Sequence, residues 1–170
     1  YKRQGLNIDI KKPVQVALLL PKSHPKTRAV SASLENATLM AVGEMKQVQI
    51  HLRIYDTAGN PEQAAIQARK AVDEGAKIIL GPLFAESANA AGLAVADQGI
   101  NVLSFSNNTS VAGKNVFILG KTFQNTSNRL LKYAATKGKT RAVILYPDNI
   151  EGKFGRIALE TSAKKSNVQI

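Results

Sequence analysis

The sequence predicts an α/β fold, in which a doubly wound, mainly parallel sheet is followed by the start of a second, similar lobe. Short apolar runs of strand length alternate with longer segments of helical periodicity along the chain. Several of the short runs are apolar at nearly every position, which is typical of strands buried on both faces of a parallel sheet. A regular alternation of strands and helices builds a sheet of this kind.

The composition is that of one soluble globular domain. The chain has 170 residues, of which 44% are apolar and 21% are charged, and it contains no cysteine. A disulfide framework, a thiolate metal site and a cysteine nucleophile are therefore excluded. No stretch approaches the roughly 18 apolar residues of a transmembrane helix, so none is expected. The start at Tyr-Lys-Arg predicts a processed or artificially chosen N-terminus.

The first elements follow from the spacing of apolar residues. Residues 1–13 are polar and basic and are expected to form a leader or tail, and the run at 14–20 predicts a buried strand that Pro21 ends. The alternation over 48–55 predicts a strand with one drier face, at the sheet edge. Between these strands, helical spacing predicts a helix with an apolar face of Val30, Leu34, Ala37, Ala41 and Met45.

Capping signals define the next helix, because Asn60 and Gln63 have the spacing of a capping box and Pro61 fits the first helical position. Glycine or proline then ends most of the later elements. In order, we expect that helix to stop at Gly75, a strand at 76–80, an alanine-rich helix at 85–98, and short strands at 100–105 and 115–120.

The remaining residues predict an unfinished second lobe. A helix is expected at 122–137, a buried strand at 141–146, a helix at 154–165 and a strand at 168–170 without a visible partner. The apolar face of the helix at 122–137 is predicted to consist of Leu130, Leu131, Tyr133 and Ala134. We therefore expect a leader at 1–13, a first lobe at 14–120, and a crossover with the truncated beginning of a second lobe at 121–170.

The net charge of +11 is unevenly distributed, with +6 in residues 1–28, −2 in residues 29–120 and +7 in residues 121–170. A basic protein raises the question of nucleic acid or an anionic surface. A near-neutral centre between basic ends favours solubility or attraction to an anionic surface over one continuous phosphate-binding face. No nucleic-acid partner is expected.

Function in such a sheet is sought in the loops that follow the strands. The basic loop at 22–28 places Ser23 and His24 where they can hold an anionic group, although a solvated loop is the alternative. Ser87 lies near the start of a helix whose free amides can receive a carboxylate or phosphate. Glu86 is then a helix-start residue, and Asp56 is interpreted as a turn and capping carboxylate.

The densest group of small hydrogen-bonding side chains follows the fourth strand. We predict ligand contacts there, against the alternative that these residues only cap and turn the chain. A loop at 147–155 offers Asp148 and Phe154 to the same ligand from the second lobe. The predicted ligand-binding residues are Ser23, His24, Ser87, Ser106, Asn107, Asn108, Thr109 and Phe154.

Motifs of catalysis are missing from the sequence. It contains no G-x-G-x-x-G after the first strand, no G-x-x-x-x-G-K-S/T and no G-x-S-x-G. His24 adjoins a proline in a loop, and His51 lies in a strand without a second metal ligand at suitable spacing. We expect a non-catalytic protein without cofactor or metal.

Several phrases resemble the type I periplasmic binding proteins of the leucine/isoleucine/valine-binding class. These are VALLLP at 16–21, YDT at 55–57, NPEQA at 60–64, ILGPL at 79–83 and FSN at 105–107. The phrases GPLFA at 81–85 and FSNNTSVAG at 105–113 are most similar to the branch of penicillin-binding-protein activators, which are envelope lipoproteins.

The resemblance implies two lobes that close on a small polar, amino-acid-like ligand, in the periplasm or cell envelope, with lipid anchoring through a missing N-terminal segment. An ABC transporter permease is the implied partner. The alternative is a regulator that contacts a peptidoglycan synthase. Ala85 stands where amino-acid binders of the class commonly have serine, and Ser23-His24 where they have Ser-Gly, which argues against a branched-chain amino acid. Phe154-Gly155 matches the aromatic-glycine pair of the family's second lobe.

Overall fold

The computed structural model describes residues 13–170 apart from the side chains of residues 150 and 151, and strands alternate with helices as far as residue 104. The predicted leader lies, up to residue 12, outside the described residues. The chain divides after Gly120 into two compact units. The first contains β1 (Val14–Leu20), α1 (Arg28–Glu44), β2 (Ile50–Asp56), α2 (Pro61–Asp73), β3 (Ile78–Leu80), α3 (Ala85–Ala94), β4 (Asn101–Ser104) and β5 (Val116–Ile118). The second contains α4 (Phe123–Thr136) and α5 (Ile150–Ser166).

The five strands of the first unit form one parallel sheet in the order β2-β1-β3-β4-β5. The predicted fold class is confirmed, and β2 occupies the predicted edge. Because all strands run in one direction, the loops that follow them meet along a single side of the sheet, which we call the carboxyl edge. The register of β1 with β2 pairs Leu20 with Asp56 at this edge.

The main core lies between the sheet and the pair α2 and α3. Leu19 and Ile79 are fully buried there, and each such side chain contributes about 1.5–3 kcal/mol of transfer free energy. The helices face the sheet with small residues, chiefly alanines, which let the backbones approach closely. A methyl group on Gly92 of α3 would clash with Val116 of β5, so glycine at this position allows α3 to pack closely on β5.

Helix α1 is present, but its predicted apolar face is wrong. Val30 is 48% exposed and Met45, which lies beyond the helix end, is 49% exposed, whereas Ser31 is the buried residue of the helix. The Ser31 hydroxyl donates a hydrogen bond of 3.2 Å to the carbonyl of Pro21, and Thr27 donates to the same carbonyl at 3.3 Å. These bonds fix the rotation of the helix against the end of β1.

The second unit packs α4 against α5 around Leu131, Ala163 and Val168. The predicted apolar face of α4 is only partly correct, since Leu130 and Tyr133 are exposed. A polar network sets the rotation instead: Gln124 Nε2 donates to Ser162 Oγ at 2.7 Å and to Asn128 Oδ1 at 3.0 Å, and Ser162 Oγ donates to Asn128 Oδ1 at 2.7 Å.

The predicted strand at 141–146 is not formed, and the predicted strand at 168–170 is reduced to one bridged residue, Gln169. A single parallel bridge joins Arg141 to Gln169. Ala142 N donates to Gln169 O and Gln169 N donates to Thr140 O, both at 2.8 Å. A strand needs a continuous ladder of backbone hydrogen bonds, and within the described residues nothing extends this bridge. Val143 and Leu145 are 88% and 93% exposed.

Helix α5 begins at Ile150, four residues before the predicted start. Asn149 caps it by accepting a hydrogen bond from Gly152 N at 2.8 Å. No helix among residues 13–170 is long and apolar enough to cross a bilayer.

Candidate functional site

The loops after β1 and β2 are joined at Asp56. Ser23 N donates to both carboxylate oxygens, at 3.3 and 3.2 Å, and Ala58 N donates to Oδ1 at 2.8 Å. Burial raises the pKa of Asp56, but the hydrogen bonds from Ala58 and Ser23 outweigh it and hold the pKa below its usual value. Asp56 therefore serves as the turn and capping carboxylate that its position in the sequence indicates.

His24 connects the loop after β1 to the loop after β3. Its ring packs edge-to-face on Phe84, with ring centroids 5.6 Å apart, and its Nδ1 lies 3.2 Å from the hydroxyl of Thr27. Gly59, from the loop after β2, lies against both rings with a φ of +72°. A side chain there would be strained and would displace His24 and Phe84, so glycine allows the three loops to meet.

Ser104 joins the loops after β3 and β4. It is fully buried, donates to the carbonyl of Pro82 at 2.8 Å and accepts from Ser106 N at 3.1 Å. Phe105 N donates to the same carbonyl of Pro82 at 3.0 Å. This hydroxyl therefore holds the polar loop that follows β4 in place.

Two of the four predicted residues of that loop use their side-chain oxygens to shape it. Ser106 Oγ, on a buried residue, accepts from Asn108 N at 3.1 Å, and Asn108 Oδ1 accepts from Ser110 N at 2.9 Å. The residues at Asn107 and Thr109 are exposed. The loop thus combines a backbone held by hydrogen bonds with donors on exposed residues, among them the amide NH2 of Asn108.

Gly120, which follows β5, completes the carboxyl edge. A methyl group on it would lie 2.6 Å from the carbonyl oxygen of Phe105 and closer still to that of Ser106. Close packing of this kind places the end of the first unit directly against the loop after β4.

Helix N-termini bring amide groups without intrahelical partners to the carboxyl edge, and Glu86 adds an acidic side chain in the first turn of α3. The N-cap residues of α1 and α3, Thr27 and Phe84, make no side-chain capping bond, whereas Asn60 caps α2 by accepting from Gln63 N at 3.0 Å. The uncapped amide groups at such an end favour an anion. Lys26, which precedes α1, and Arg28, the first residue of α1, are exposed at the start of that helix.

Ser87 lies in the first turn of α3, but its hydroxyl is fully buried and has no hydrogen-bond partner among the described residues.

Phe154 belongs to the second unit, where it lies on α5 and is 60% exposed. An apolar cavity of about 350 Å³ in that unit is lined by other residues, including Phe123, Leu130 and Arg156.

The structure therefore brings Ser23, His24 and the loop from Ser106 to Thr109 together at one edge, with Ser87 beneath its surface. Sequence reasoning missed Phe84 and Gly59 as parts of this edge. Phe84 stands within the phrase at 81–85 that carries the resemblance, but nothing in the sequence indicates that its ring meets His24.

In an open parallel sheet, the loops beyond the carboxyl ends of the strands are the usual place for a ligand. The chain belongs to the family described as periplasmic binding protein, whose model matches residues 13–170. The predicted family is thereby confirmed, and it is a periplasmic family of binding proteins. The activator branch stays a prediction.

Three solved structures illustrate the relationship. An ABC-type branched-chain amino acid transporter from Rhodopseudomonas palustris matches with a TM-score of 0.73 and 17% identity over 92% of this chain and 45% of its own. An ABC transporter substrate-binding protein from Desulfitobacterium hafniense in complex with Leu matches with a TM-score of 0.60 and 21% identity over 94% and 49%. A solute-binding protein of an ABC transporter from Rhodopseudomonas palustris in complex with 3,4-dihydroxybenzoic acid matches with a TM-score of 0.65 and 15% identity over 93% and 46%. The chain spans about half the length of these structures.

Proposed function

We propose that this protein is a non-catalytic periplasmic solute-binding protein that presents its ligand to an ABC transporter permease. The carboxyl edge of the first unit holds one side of a small polar solute, and a second lobe, contributing Phe154, closes on the other side. Membership in the periplasmic binding protein family supports the class of function. Lipid anchoring in the cell envelope is part of the same proposal.

The solute is proposed to carry a carboxylate and to be amino-acid-like. The observation that carries this is the pair of uncapped helix N-termini at the carboxyl edge, with the exposed cations Lys26 and Arg28 at the start of α1. Backbone amides and cations at such a place stabilise a negative group. Leucine and dihydroxybenzoate, named for two of the related structures, are both carboxylic acids, which agrees with this class.

The loop after β4 is proposed to read the rest of the solute. Asn107, Asn108 and Thr109 supply amide and hydroxyl groups at an exposed surface, while Ser106 and Ser104 fix the backbone beneath them. Donors held in advance cost less entropy when a ligand binds. Ser23 and His24 are assigned to the opposite end of the same edge.

The experiment is a thermal-shift screen of the full chain against small carboxylic acids, each paired with its amide or decarboxylated analogue. A ligand at 100 times its Kd stabilises the folded state by about 2.7 kcal/mol, which is a readily measured shift. We expect stabilisation by an acid and not by its neutral partner. Absence of a shift across a broad set of solutes would refute the proposal.

A double variant locates the site. Ser106→Ala with Asn108→Ala is expected to weaken binding in calorimetry while leaving the domain folded. The matched control is Ser33→Ala with Asn36→Ala, which removes the same groups from exposed positions on α1. Equal affinities in the two variants would rule out the loop after β4. The alternative of a regulator predicts instead a peptidoglycan synthase in pull-downs and no ligand-dependent stabilisation.

A further inference from the structure

The second unit is strongly basic, with ten cationic and three anionic residues among its 50 positions. Its two helices run in the same direction. Phe123, at the start of α4, lies 3.8 Å from the Cβ position of Gly155 near the start of α5, and Leu131 packs with Ala163 further along both helices. The C-terminal ends of α4 and α5 therefore lie together.

Backbone hydrogen bonds join the segments that follow these helix ends, because Thr140 and Ala142 both bond to Gln169. The end of the unit formed in this way, which we call the basic end, gathers six exposed cations. They are Lys132, Lys137, Lys139, Arg141, Lys164 and Lys165.

Negative charge does not compensate the basic end. Asp148 and residue 151 belong to the opposite end of the unit, around the start of α5, and Glu160 lies 3.6 Å from Arg156. Within the described part of the chain, none of the six cations forms a salt bridge. The carbonyl ends of two helices favour cations, but that effect is confined to the last turn and does not reach Lys132, Lys139 or Arg141.

The shape and chemistry of the basic end indicate its partner. Five of its six cations are lysines, which act as mobile point charges and lack the bidentate fork that arginine offers to a single phosphate or carboxylate. They are spread over two helix ends and the segment 139–141, as suits an extended anionic plane. The exposed Tyr133 lies beside them, with Lys137 Nζ 5.6 Å from its ring centroid. Tyrosine is enriched where proteins meet the membrane-water interface.

We propose that the basic end of the second unit docks on an anionic phospholipid surface. The family is described as periplasmic, and an anionic membrane surface is an extended polyanion that bounds that compartment. Each lysine near such a surface contributes about 1 kcal/mol, or roughly a fivefold gain in binding. This docking does not depend on the solute proposed for the first unit.

The experiment measures co-sedimentation of the full chain with vesicles of phosphatidylcholine, with and without phosphatidylglycerol. Binding is expected only with phosphatidylglycerol, and it should be lost when the Debye length falls from about 8 Å at physiological salt to about 3 Å at 1 M. The triple variant Lys139→Gln, Lys164→Gln and Lys165→Gln is expected to bind on the order of 100-fold more weakly.

The matched control neutralises Lys46, Lys77 and Lys114, which are exposed lysines of the first unit. It has the same net charge as the test variant and is expected to retain near wild-type binding. Equal losses in both triple variants would overturn the proposal, because they would show a diffuse effect of net charge. Failure of the wild-type chain to bind anionic vesicles would overturn it independently of how the variants fold. Binding to an acidic protein or to nucleic acid instead of vesicles would also overturn it.

Discussion

Ser104 offers the sharpest test of how the carboxyl edge is held together. Ser104→Ala removes a hydroxyl that donates to Pro82 O at 2.8 Å and accepts from Ser106 N at 3.1 Å, both in the protein interior. Pro82 O keeps the bond from Phe105 N at 3.0 Å, so the group left without a partner is the N–H of Ser106.

The expected loss of stability in Ser104→Ala follows from these hydrogen bonds. A buried donor left unpaired costs about 1–3 kcal/mol, and the second lost bond adds about 0.5–1.5 kcal/mol. Because Pro82 O stays bonded, we expect about 2–3 kcal/mol in total. For a domain of about 100 residues this lowers Tm by roughly 4 °C per kcal/mol. Urea and thermal unfolding of wild-type and variant chains measure the loss.

Ser87→Ala is the matched control, because Ser87 is equally buried but its hydroxyl has no partner among the described residues. Removing an unsatisfied hydroxyl relieves its desolvation, so we expect no loss of stability or a gain of up to about 1 kcal/mol. If Ser87→Ala costs as much as Ser104→Ala, the hydrogen bonds of Ser104 are not the source of the effect. A loss below about 0.5 kcal/mol in Ser104→Ala would refute the reasoning directly.

Two further predictions concern the same unit. Gly120→Ala forces a methyl group against the carbonyls of residues 105 and 106, so we expect it to lower the free energy of unfolding by more than about 2 kcal/mol. Gly43 lies in a helix with open space around it, so Gly43→Ala should raise the free energy of unfolding by about 0.5–1 kcal/mol in the same assay. Asp56 has a lowered pKa in the folded state, so it stabilises the protein above its unfolded pKa of about 3.9, and this contribution is lost as pH falls through the folded value. The stability difference between wild type and Asp56→Asn should therefore shrink below about pH 4, and a difference that stays constant down to acid unfolding would contradict the role of Asp56.

The parallel sheet was predictable because a buried strand has a simple signature. The apolar run at 14–20 matches β1 residue for residue, and the alternation near 50 identified the edge strand β2. The same signature failed at 141–146, because the side-chain pattern of a strand does not reveal whether a neighbour is present to pair with it. The apolar stripe of α1 failed for a related reason, since hydrogen bonds of Ser31 and Thr27 to Pro21 decide which side of the helix faces the sheet.

The candidate site was predictable where a general rule of topology applies. Polar residues directly after β4 must lie at the carboxyl edge of a parallel sheet, so the position of the loop from Ser106 to Thr109 could be predicted from the sequence. The contacts among His24, Gly59 and Phe84 join three separate loops, and no local pattern reports which loop tips touch. Likewise, the sequence indicates that Ser87 lies near the start of a helix but not that its hydroxyl is buried.

The incomplete pairing around Arg141 has a consequence for handling the protein. Beyond the single bridge to Gln169, residues 143–146 form no backbone hydrogen bonds in the described chain, and two large apolar side chains stand almost fully in solvent. An apolar segment with unpaired backbone N–H and C=O groups can act as a template on which another polypeptide pairs. Solutions of the 170-residue chain are therefore expected to self-associate through this segment as concentration rises. A lysine introduced at Leu145 would act as a gatekeeper charge against that association.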